Sequence, residues 1–388
     1  MSRFLSAIKN SISHRVGALA SPPAFVLVTR QPQLEPQARY QPGGYHPVRA
    51  GEIYNERYRI LHKLGWGQYS TVWLVQDMRD QRLATMKILV ADLTNEKAGY
   101  DERAMLVSLR ETNPRSLGYH HIRHLLDDFI HEGPNGTHVC LVLEPMSVNA
   151  VEIYHGFKSP MPLFLVRRIS AHVLRALCYL HEECHLIHTD IKGDNILMSG
   201  APSEIEQTSI QLTIPELASA TFKLADFGEA TCVSDHFAKL IQPEALRSPE
   251  VIIKAPWDTK TDIWNFGALM YQFARGAQLF DPYWDTQRTG MSRSQTHIAQ
   301  IVGLLGQFPR ELVDKGENSS RYFDRDGRLL HGGGLYGITI EDLLRRANHP
   351  PEELPLLADF LLRALTIDPE ERWSASQLLK HSWLEDVA

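Results

Sequence analysis

The spacing of apolar and polar residues divides the 388-residue chain into a strand-rich part followed by a helix-rich part. Apolar and polar residues alternate over 57–77 around a glycine-containing turn, which predicts a β-hairpin. Short apolar runs at 83–92 and 137–146 predict two more strands, and the second reaches a proline at Pro145. Between these runs, residues 101–111 have the spacing of a helix.

Beyond Pro145 the pattern becomes mostly helical. Helical spacing recurs over 165–183, 261–276, 297–309 and 354–365. We therefore predict a small β-rich lobe at 51–146 and a larger α-helical lobe at 147–388, with their junction near Pro145. The mixed polar stretch 199–220 interrupts the second lobe and has the composition of a short surface insertion.

Residues 1–50 differ in composition from the rest of the chain. They are rich in Pro, Gly, Gln and Ser, and their first acidic residue is Glu35. We expect a flexible N-terminal tail. The first fifteen residues also combine Arg, Lys and Ser with spaced apolar residues, as mitochondrial transit peptides do, so targeting within residues 1–30 is the alternative.

Charge and cysteine content restrict the partners and the compartment. The net charge of −6 lacks the basic footprint of a nucleic-acid-binding protein, so we expect no direct nucleic-acid contact. No apolar run reaches the roughly 18 residues of a membrane span. The four cysteines show no metal-ligand pairing and are typical of reduced thiols in an intracellular protein, placed in the cytoplasm, the nucleus or both.

A glycine-containing stretch in the hairpin is the first candidate ligand site. Two glycines let a hairpin backbone close over phosphates without Cβ clashes, and Ser70 stands where a third glycine is usual. Such glycines also occur in ordinary hairpins, so the stretch is weak evidence alone. The candidate nucleotide-binding residues here are Leu64, Gly65, Trp66, Gly67, Gln68, Tyr69, Ser70, Thr71 and Val72.

Lys87 lies inside an otherwise apolar strand, where an unpaired charge is costly to bury. A lysine that binds the α- and β-phosphates of ATP and pairs with a helix glutamate accounts for this position. Glu102 is the candidate partner, because Leu106 and Leu109 then lie on the core side of its helix. The alternative is a strand-edge lysine that extends to water.

The stretch 188–195 carries the strongest chemical signal. Asp190 is suited to accept or orient a substrate hydroxyl proton, Lys192 to reach a transferred phosphoryl group, and Asn195 to hold Mg²⁺. Asp226, followed by Phe227 and Gly228, provides a second Mg²⁺ ligand. The alternative for a single loop of this kind is a solvated surface turn.

Three further features predict supporting roles. Glu144 can offer its carbonyl and Met146 its N–H to an adenine base, while Pro145 between them needs no N–H. Glu250 is expected to pair with Arg372, and Asp262 to bind the backbone of the 188–195 loop, to cap a helix, or both. The order of all these motifs predicts an α+β, bilobal eukaryotic protein kinase fold that uses ATP and Mg²⁺.

The sequence resembles the SR-protein-specific kinases, particularly their fungal relatives. Residues 43–77, 188–195 and 297–312 carry this resemblance, which extends from about Tyr45 to the C-terminus. It implies a monomeric serine/threonine kinase whose protein substrates are Arg-Ser-rich splicing factors or similar proteins. Thr189 stands where most kinases have an arginine that pairs with an activation-loop phosphate, which implies activity without such phosphorylation.

Several positions depart from the family pattern. The long spacer of the family is reduced to 199–220, Thr85 replaces an alanine of the adenine pocket, and Pro243 replaces a threonine that contacts the catalytic aspartate. The acidic docking residues are missing at 294–296 and at Gly303. Two alternatives therefore remain: an active kinase with substrates other than Arg-Ser proteins, and a pseudokinase that only binds partners.

Overall fold

Six strands between positions 53 and 143, in which apolar and polar residues alternate, form one antiparallel sheet in the smaller lobe. The computed structural model describes residues 25–29, 35–95, 102–157, 160–200, 209–234, 240–332, 336–385 and 387, so the candidate targeting segment lies almost wholly outside them. In chain order the strands are β1 Phe25–Thr29, β2 Ile53–Tyr54, β3 Tyr58–Gly67, β4 Ser70–Asp77, β5 Leu83–Leu89, β6 Leu125–Gly133, β7 Gly136–Leu143, β8 Leu186–Ile187, β9 Ile196–Met198, β10 Ser209–Thr213, β11 Phe222–Leu224 and β12 Thr231–Cys232.

Thirteen α-helices lie within the described residues, most of them in the larger lobe. They are α1 Ala91–Asn95, α2 Glu102–Glu111, α3 Ala150–Phe157, α4 Leu163–Cys178, α5 Ile214–Ser219, α6 Pro249–Ile253, α7 Lys260–Arg275, α8 Thr286–Thr289, α9 Arg293–Leu305, α10 Arg310–Lys315, α11 Ile340–Leu344, α12 Leu354–Ala364 and α13 Ala375–Leu378. None of the helices within the described ranges has the length and apolar character that a membrane crossing requires.

The two faces of the small-lobe sheet have different neighbours. The sheet order is β2-β3-β4-β5-β7-β6, and the predicted hairpin is confirmed by β3 and β4, paired from Tyr58 opposite Asp77 to Gly67 opposite Ser70. Met86 and Ile88 of β5 belong to an apolar cluster on one face. Because strand side chains alternate between faces, Thr85 and Lys87 share the other face.

The predicted helices of the larger lobe are confirmed, with shifted ends. The first begins at Leu163 and continues past Cys178 as a π-helical turn, Tyr179–Glu183. Helix α9 begins four residues before the predicted start, because Ser292 and Gln295 form a capping box ahead of the apolar stretch. Helix α7 ends at a left-handed Gly276 with φ +77°.

A short sheet joins two segments that the sequence pattern assigned to a flexible tail and a surface insertion. Strand β1 pairs antiparallel with β10, with Val26 opposite Leu212 and Val28 opposite Ile210. All four side chains are buried. A Cβ at position 156 in α3 would overlap Val26, so the glycine there admits β1 against the larger lobe. In each strand the alternation of apolar residues is too short to stand out from the composition of the surrounding segment.

Candidate active site

The cleft between the sheet and the helical lobe has a volume of about 340 Å³, within the range of small-ligand sites. Its walls combine apolar side chains with a small number of charged and amide groups. The lining residues are Leu64, Gly65, Trp66, Gly67, Ser70, Val72, Lys87, Glu102, Leu106, Arg123, Leu143, Asn149, Asp194, Asn195, Leu197, Ala225, Asp226 and Phe227.

The glycine-containing turn between β3 and β4 covers one side of this cleft. Of the nine residues predicted there, six line it, whereas Gln68, Tyr69 and Thr71 do not. Tyr69 is exposed, and Thr71 is buried on the other face, where its hydroxyl accepts a hydrogen bond from the Trp73 indole at 3.0 Å. Because side chains of a strand alternate between its two faces, part of the predicted nucleotide-binding set lies outside the cleft lining.

Lys87 makes the predicted ion pair with Glu102 and a second one with Asp226. Its Nζ lies 2.6 Å from Glu102 Oε1 and 2.8 Å from Asp226 Oδ1. Burial alone would lower the pKa of Lys87, but the two carboxylates outweigh it and hold that pKa above its ordinary value. Mainly because of the charge on Lys87, the pKa of Asp226 is lowered to about 2. The lysine is therefore cationic and Asp226 anionic at neutral pH.

The loop 188–195 brings its three predicted polar groups together. Lys192 Nζ donates to Asp190 Oδ2 at 2.6 Å, and Asn195 Nδ2 donates to Asp190 O at 2.9 Å and Oδ2 at 3.1 Å. Burial opposes the charge of Lys192, but the hydrogen bond to Asp190 raises its pKa. Asn195 lines the cleft, so these bonds hold the Asp190 carboxylate next to it.

Buried polar residues of α7 support this loop from beneath. The carboxylate of Asp262 accepts hydrogen bonds from the backbone N–H groups of His188 and Thr189 at 2.8 and 2.9 Å. Its predicted loop-binding role is confirmed, but it is not the helix N-cap, which is Thr259. Asn265, which sequence reasoning missed, donates to the Ile191 carbonyl at 2.7 Å.

Asp226 adopts a left-handed backbone conformation, with φ +62°. This conformation is uncommon for a residue other than glycine and is often found at functional sites. Phe227 is buried directly after it, with its ring 5.3 Å from the His188 ring in an edge-on arrangement. The packed phenylalanine therefore ties the position of Asp226 to the 188–195 loop.

The predicted base-binding segment is more occupied than the sequence suggested. The Glu144 carbonyl accepts a hydrogen bond from Arg123 Nε at 2.9 Å, and the Glu144 carboxylate binds Lys223 Nζ at 2.7 Å. Within the described part of the chain, nothing accepts a hydrogen bond from the Met146 N–H. Neither Glu144 nor Met146 is among the cleft-lining residues. A base that reaches the Glu144 carbonyl therefore competes with Arg123 for it, and the base-binding roles of Glu144 and Met146 stay predictions.

Thr189 replaces an arginine and makes a different contact. Its hydroxyl donates to the Glu229 carbonyl at 2.7 Å, and the residue is buried. This bond joins the catalytic loop to the start of the 226–250 segment directly. No phosphate is needed to complete it.

Glu250 and Arg372 form the predicted structural pair. Two hydrogen bonds join them, at 2.7 and 3.0 Å, and both side chains are fully buried. Arg372 also donates to the backbone carbonyls of Thr366, Lys260 and Ile367. The pair anchors α6 to the C-terminal part of the larger lobe.

Comparison with known proteins agrees with this geometry. Residues 58–384 match the family model described as the protein kinase domain. The chain is 32% identical over 392 residues to the serine/threonine-protein kinase SRPK of Physarum polycephalum, with 90% of each chain covered.

Two other relatives cover similar shares. Protein kinase dsk1 of Schizosaccharomyces pombe is 28% identical, over 90% of this chain and 84% of its own. SRSF protein kinase 3 of Homo sapiens is 26% identical, over 89% of each. The chain therefore belongs to the protein kinase family and, within it, is a serine/threonine protein kinase of the SRPK group.

Proposed function

We propose that this kinase is catalytically active and transfers the γ-phosphoryl group of ATP, with Mg²⁺, to serine or threonine hydroxyls of Arg-Ser-rich proteins. The observation that carries the proposal is the convergence of Lys87, Glu102 and Asp226, with nitrogen–oxygen distances of 2.6 and 2.8 Å. A pseudokinase needs no such arrangement next to an intact Asp190–Asn195 loop, so the convergence argues against that alternative.

The residues at the cleft suit a hard divalent cation. Asp226 supplies an ionised carboxylate. The amide nitrogen of Asn195 is committed to Asp190, which leaves its amide oxygen for a metal. The described residues contain no cluster of three His, Cys, Asp or Glu side chains that could hold a metal without help. Mg²⁺ is commonly held by one or two protein oxygens together with substrate phosphates. When bound, the cation would neutralise charge on those phosphates.

Each protein group then has a defined task. Lys87, held by Glu102, orients the α- and β-phosphates. Asp190 accepts or orients the proton of the substrate hydroxyl, and Lys192 lies close enough to the same carboxylate to stabilise the transferred phosphoryl group. Catalysis rests on positioning and charge stabilisation rather than on covalent chemistry by the enzyme.

Replacing Asp226 tests the metal assignment. In Asp226→Ala, nucleotide affinity should lose its dependence on Mg²⁺, and turnover should disappear with it. Asp324→Ala, which changes a surface loop of the larger lobe, is the matched control and should keep the metal dependence. Unchanged affinity for ATP across a Mg²⁺ titration of Asp226→Ala would contradict the assignment.

The names of the relatives support Arg-Ser-rich proteins as the substrate class. The surface around α9 determines how strongly such substrates dock. The first turn of α9 contains no acidic residue. Its first residue, the exposed Arg293, binds Glu244 at 3.3 Å and stacks over Tyr283. Each missing surface ion pair weakens docking by about 0.2–1 kcal/mol, so the loss of several could weaken it about 10-fold or more. We propose weak, salt-sensitive docking and few phosphates per binding event.

Acidic residues cannot be restored at two of the positions singled out in the sequence. Thr296 is buried, so an aspartate there would bury a charge. Gly303 faces Tyr336, and a Cβ at this position would overlap the tyrosine ring. Both positions therefore belong to the packed face of α9, and the docking surface must be altered at exposed positions instead.

Arg293→Gln is the sharper test, because it removes a positive charge and the ion pair with Glu244, whose carboxylate keeps its hydrogen bond from Tyr283. Binding of a long Arg-Ser peptide should tighten about 2- to 5-fold at low salt, and this gain should shrink as salt rises. Arg82→Gln removes an exposed arginine that pairs with Asp80 on the other lobe. This control should change neither the affinity for the peptide nor the dependence of that affinity on salt. Tight multi-site phosphorylation by the unaltered protein, or no effect of Arg293→Gln, would contradict weak docking through this surface.

A further inference from the structure

Arg123 is a charged residue beside three apolar residues of the cleft lining. It lines the cleft together with Leu106, Leu143 and Phe227. Its backbone N–H is held by the Leu224 carbonyl at 2.8 Å, and its Nε donates to the Glu144 carbonyl at 2.9 Å. The side chain therefore extends past Leu143 to the segment predicted to bind the base.

The guanidinium keeps its charge and part of its donor capacity. Burial lowers the pKa of Arg123 to about 10, against the attraction of Glu144, Asp226 and Glu102, so the group is cationic at neutral pH. Its terminal nitrogens, unlike Nε, donate no hydrogen bond to a described residue. An arginine with free donors in a ligand cleft is suited to an acceptor on the ligand.

Thr85 is a second polar group at the same end. It is 1% exposed, and its hydroxyl has no hydrogen-bond partner among the described residues. Thr85 is not itself a cleft-lining residue, but it pairs in register with Leu143 and lies on the same face of β5 as Lys87, and Leu143 and Lys87 both line the cleft. A buried hydroxyl without a partner is costly, so a ligand atom that completes its hydrogen bond would be favoured.

The two purine bases differ where these groups lie. Adenine carries an amino donor at position 6, whereas guanine carries a carbonyl acceptor there, and arginine pairs with the O6 and N7 edge of guanine. An amino group directed at the Glu144 carbonyl would meet the Arg123 donors beside it. A guanine carbonyl would instead accept from them.

We propose that Arg123 is a specificity-determining residue of the base site and that this kinase uses GTP as well as ATP as phosphoryl donor. The proposal rests on the phosphotransfer function assigned to the same cleft. In the reaction with GTP, the bond between the γ-phosphorus and the β,γ-bridging oxygen breaks. A bond from that phosphorus to the substrate hydroxyl oxygen forms, the hydroxyl proton passes to Asp190, and GDP leaves.

Competition between nucleotides tests the base preference without relying on turnover. The full chain is loaded with a fluorescent ATP analogue and Mg²⁺, and ATP or GTP displaces it. We expect the two affinities to lie within about 10-fold of each other, because the Arg123 contact with guanine, worth about 1–3 kcal/mol or about 5- to 150-fold, offsets most of the preference of the site for adenine. Displacement by GTP that is more than about 10-fold weaker than by ATP would overturn the proposal.

Variants then assign the preference to Arg123. Arg123→Val should weaken the binding of GTP about 10-fold relative to that of ATP, which is the effect expected from the loss of one base contact. Arg123→Met should have the same effect and replaces the valine variant if that variant does not fold. Arg82→Val, at an exposed arginine of the same lobe, should leave the ratio unchanged. An unchanged GTP-to-ATP ratio in both Arg123 variants would overturn the assignment. Absence of turnover with either nucleotide would contradict the proposed function, whereas the displacement ratio would still report on Arg123.

Discussion

The phenol of Tyr45 donates a hydrogen bond to the backbone carbonyl of Gly67 at 2.7 Å. Arg39 donates to the neighbouring carbonyl of Gln68 at 2.6 Å, and its guanidinium stacks over the Tyr45 ring. The segment that carries both residues is itself fixed, since Asn135 donates to the Tyr45 carbonyl at 2.6 Å. Residues that precede the first strand of the small-lobe sheet therefore hold the turn that covers the nucleotide cleft.

Tyr45→Phe should loosen this turn without changing the chemical groups of the site. One hydrogen bond contributes about 0.5–1.5 kcal/mol, so we expect the KM for ATP to rise about 2- to 10-fold while kcat changes little. Tyr154→Phe on α3 is the matched control and should leave KM unchanged. Steady-state kinetics at saturating peptide measures both constants. A fall in kcat at constant KM would show that Tyr45 acts on another step.

Asp190→Asn should separate nucleotide binding from turnover. Asp190 receives hydrogen bonds from Lys192 and Asn195 and makes no ion pair with Lys87, so its loss leaves the phosphate-binding groups in place. We expect ATP affinity within about 2-fold of the original value and a loss of kcat of about 10²- to 10⁴-fold, the usual range for a positioned acid–base group. A variant that retains most of its kcat would exclude Asp190 as the catalytic residue.

The strength of sequence-based prediction differed between local and distant contacts. Asp190, Lys192 and Asn195 were predicted because their spacing within one loop suffices to bring them together. Lys87 and Glu102 were paired correctly because a charged residue in an apolar strand requires a partner, and the helical pattern offered one.

Some contacts across long separations, unlike the predicted pair of Glu250 with Arg372, were missed for a physical reason. Arg123 is flanked by Ile122 and His124, and nothing in this local sequence indicates that its side chain reaches Glu144. The pairing of β1 with β10 joins residues at least 180 positions apart, and each strand is too short to stand out in the sequence. Gly303 packs against Tyr336, which lies on a distant segment, so this contact could not be read from the sequence of α9 alone.

Phosphatase treatment should leave the rate of the purified kinase unchanged. The Thr189 hydroxyl is committed to the Glu229 carbonyl, so the catalytic loop is joined to the following segment without a phosphate. Initial rates before and after treatment, with mass spectrometry to confirm removal of phosphate, measure this. A large loss of rate after treatment would mean that a phosphorylated residue organises the segment by another route.

Glu250→Gln should destabilise the larger lobe strongly. Arg372 is completely buried and donates two hydrogen bonds to Glu250, whose carboxylate compensates the positive charge of the guanidinium. Removing one partner of a buried ion pair costs about 3–5 kcal/mol, because the remaining charge is left uncompensated. Denaturant unfolding measures the free energy of unfolding directly.

Glu370→Gln is the control, because it removes an acid whose pair with Lys315 is exposed. It should cost less than about 1 kcal/mol. If the two variants lose similar free energies, the Arg372 guanidinium must be stabilised mainly by its backbone carbonyl partners, and the glutamate would then contribute little to the fold.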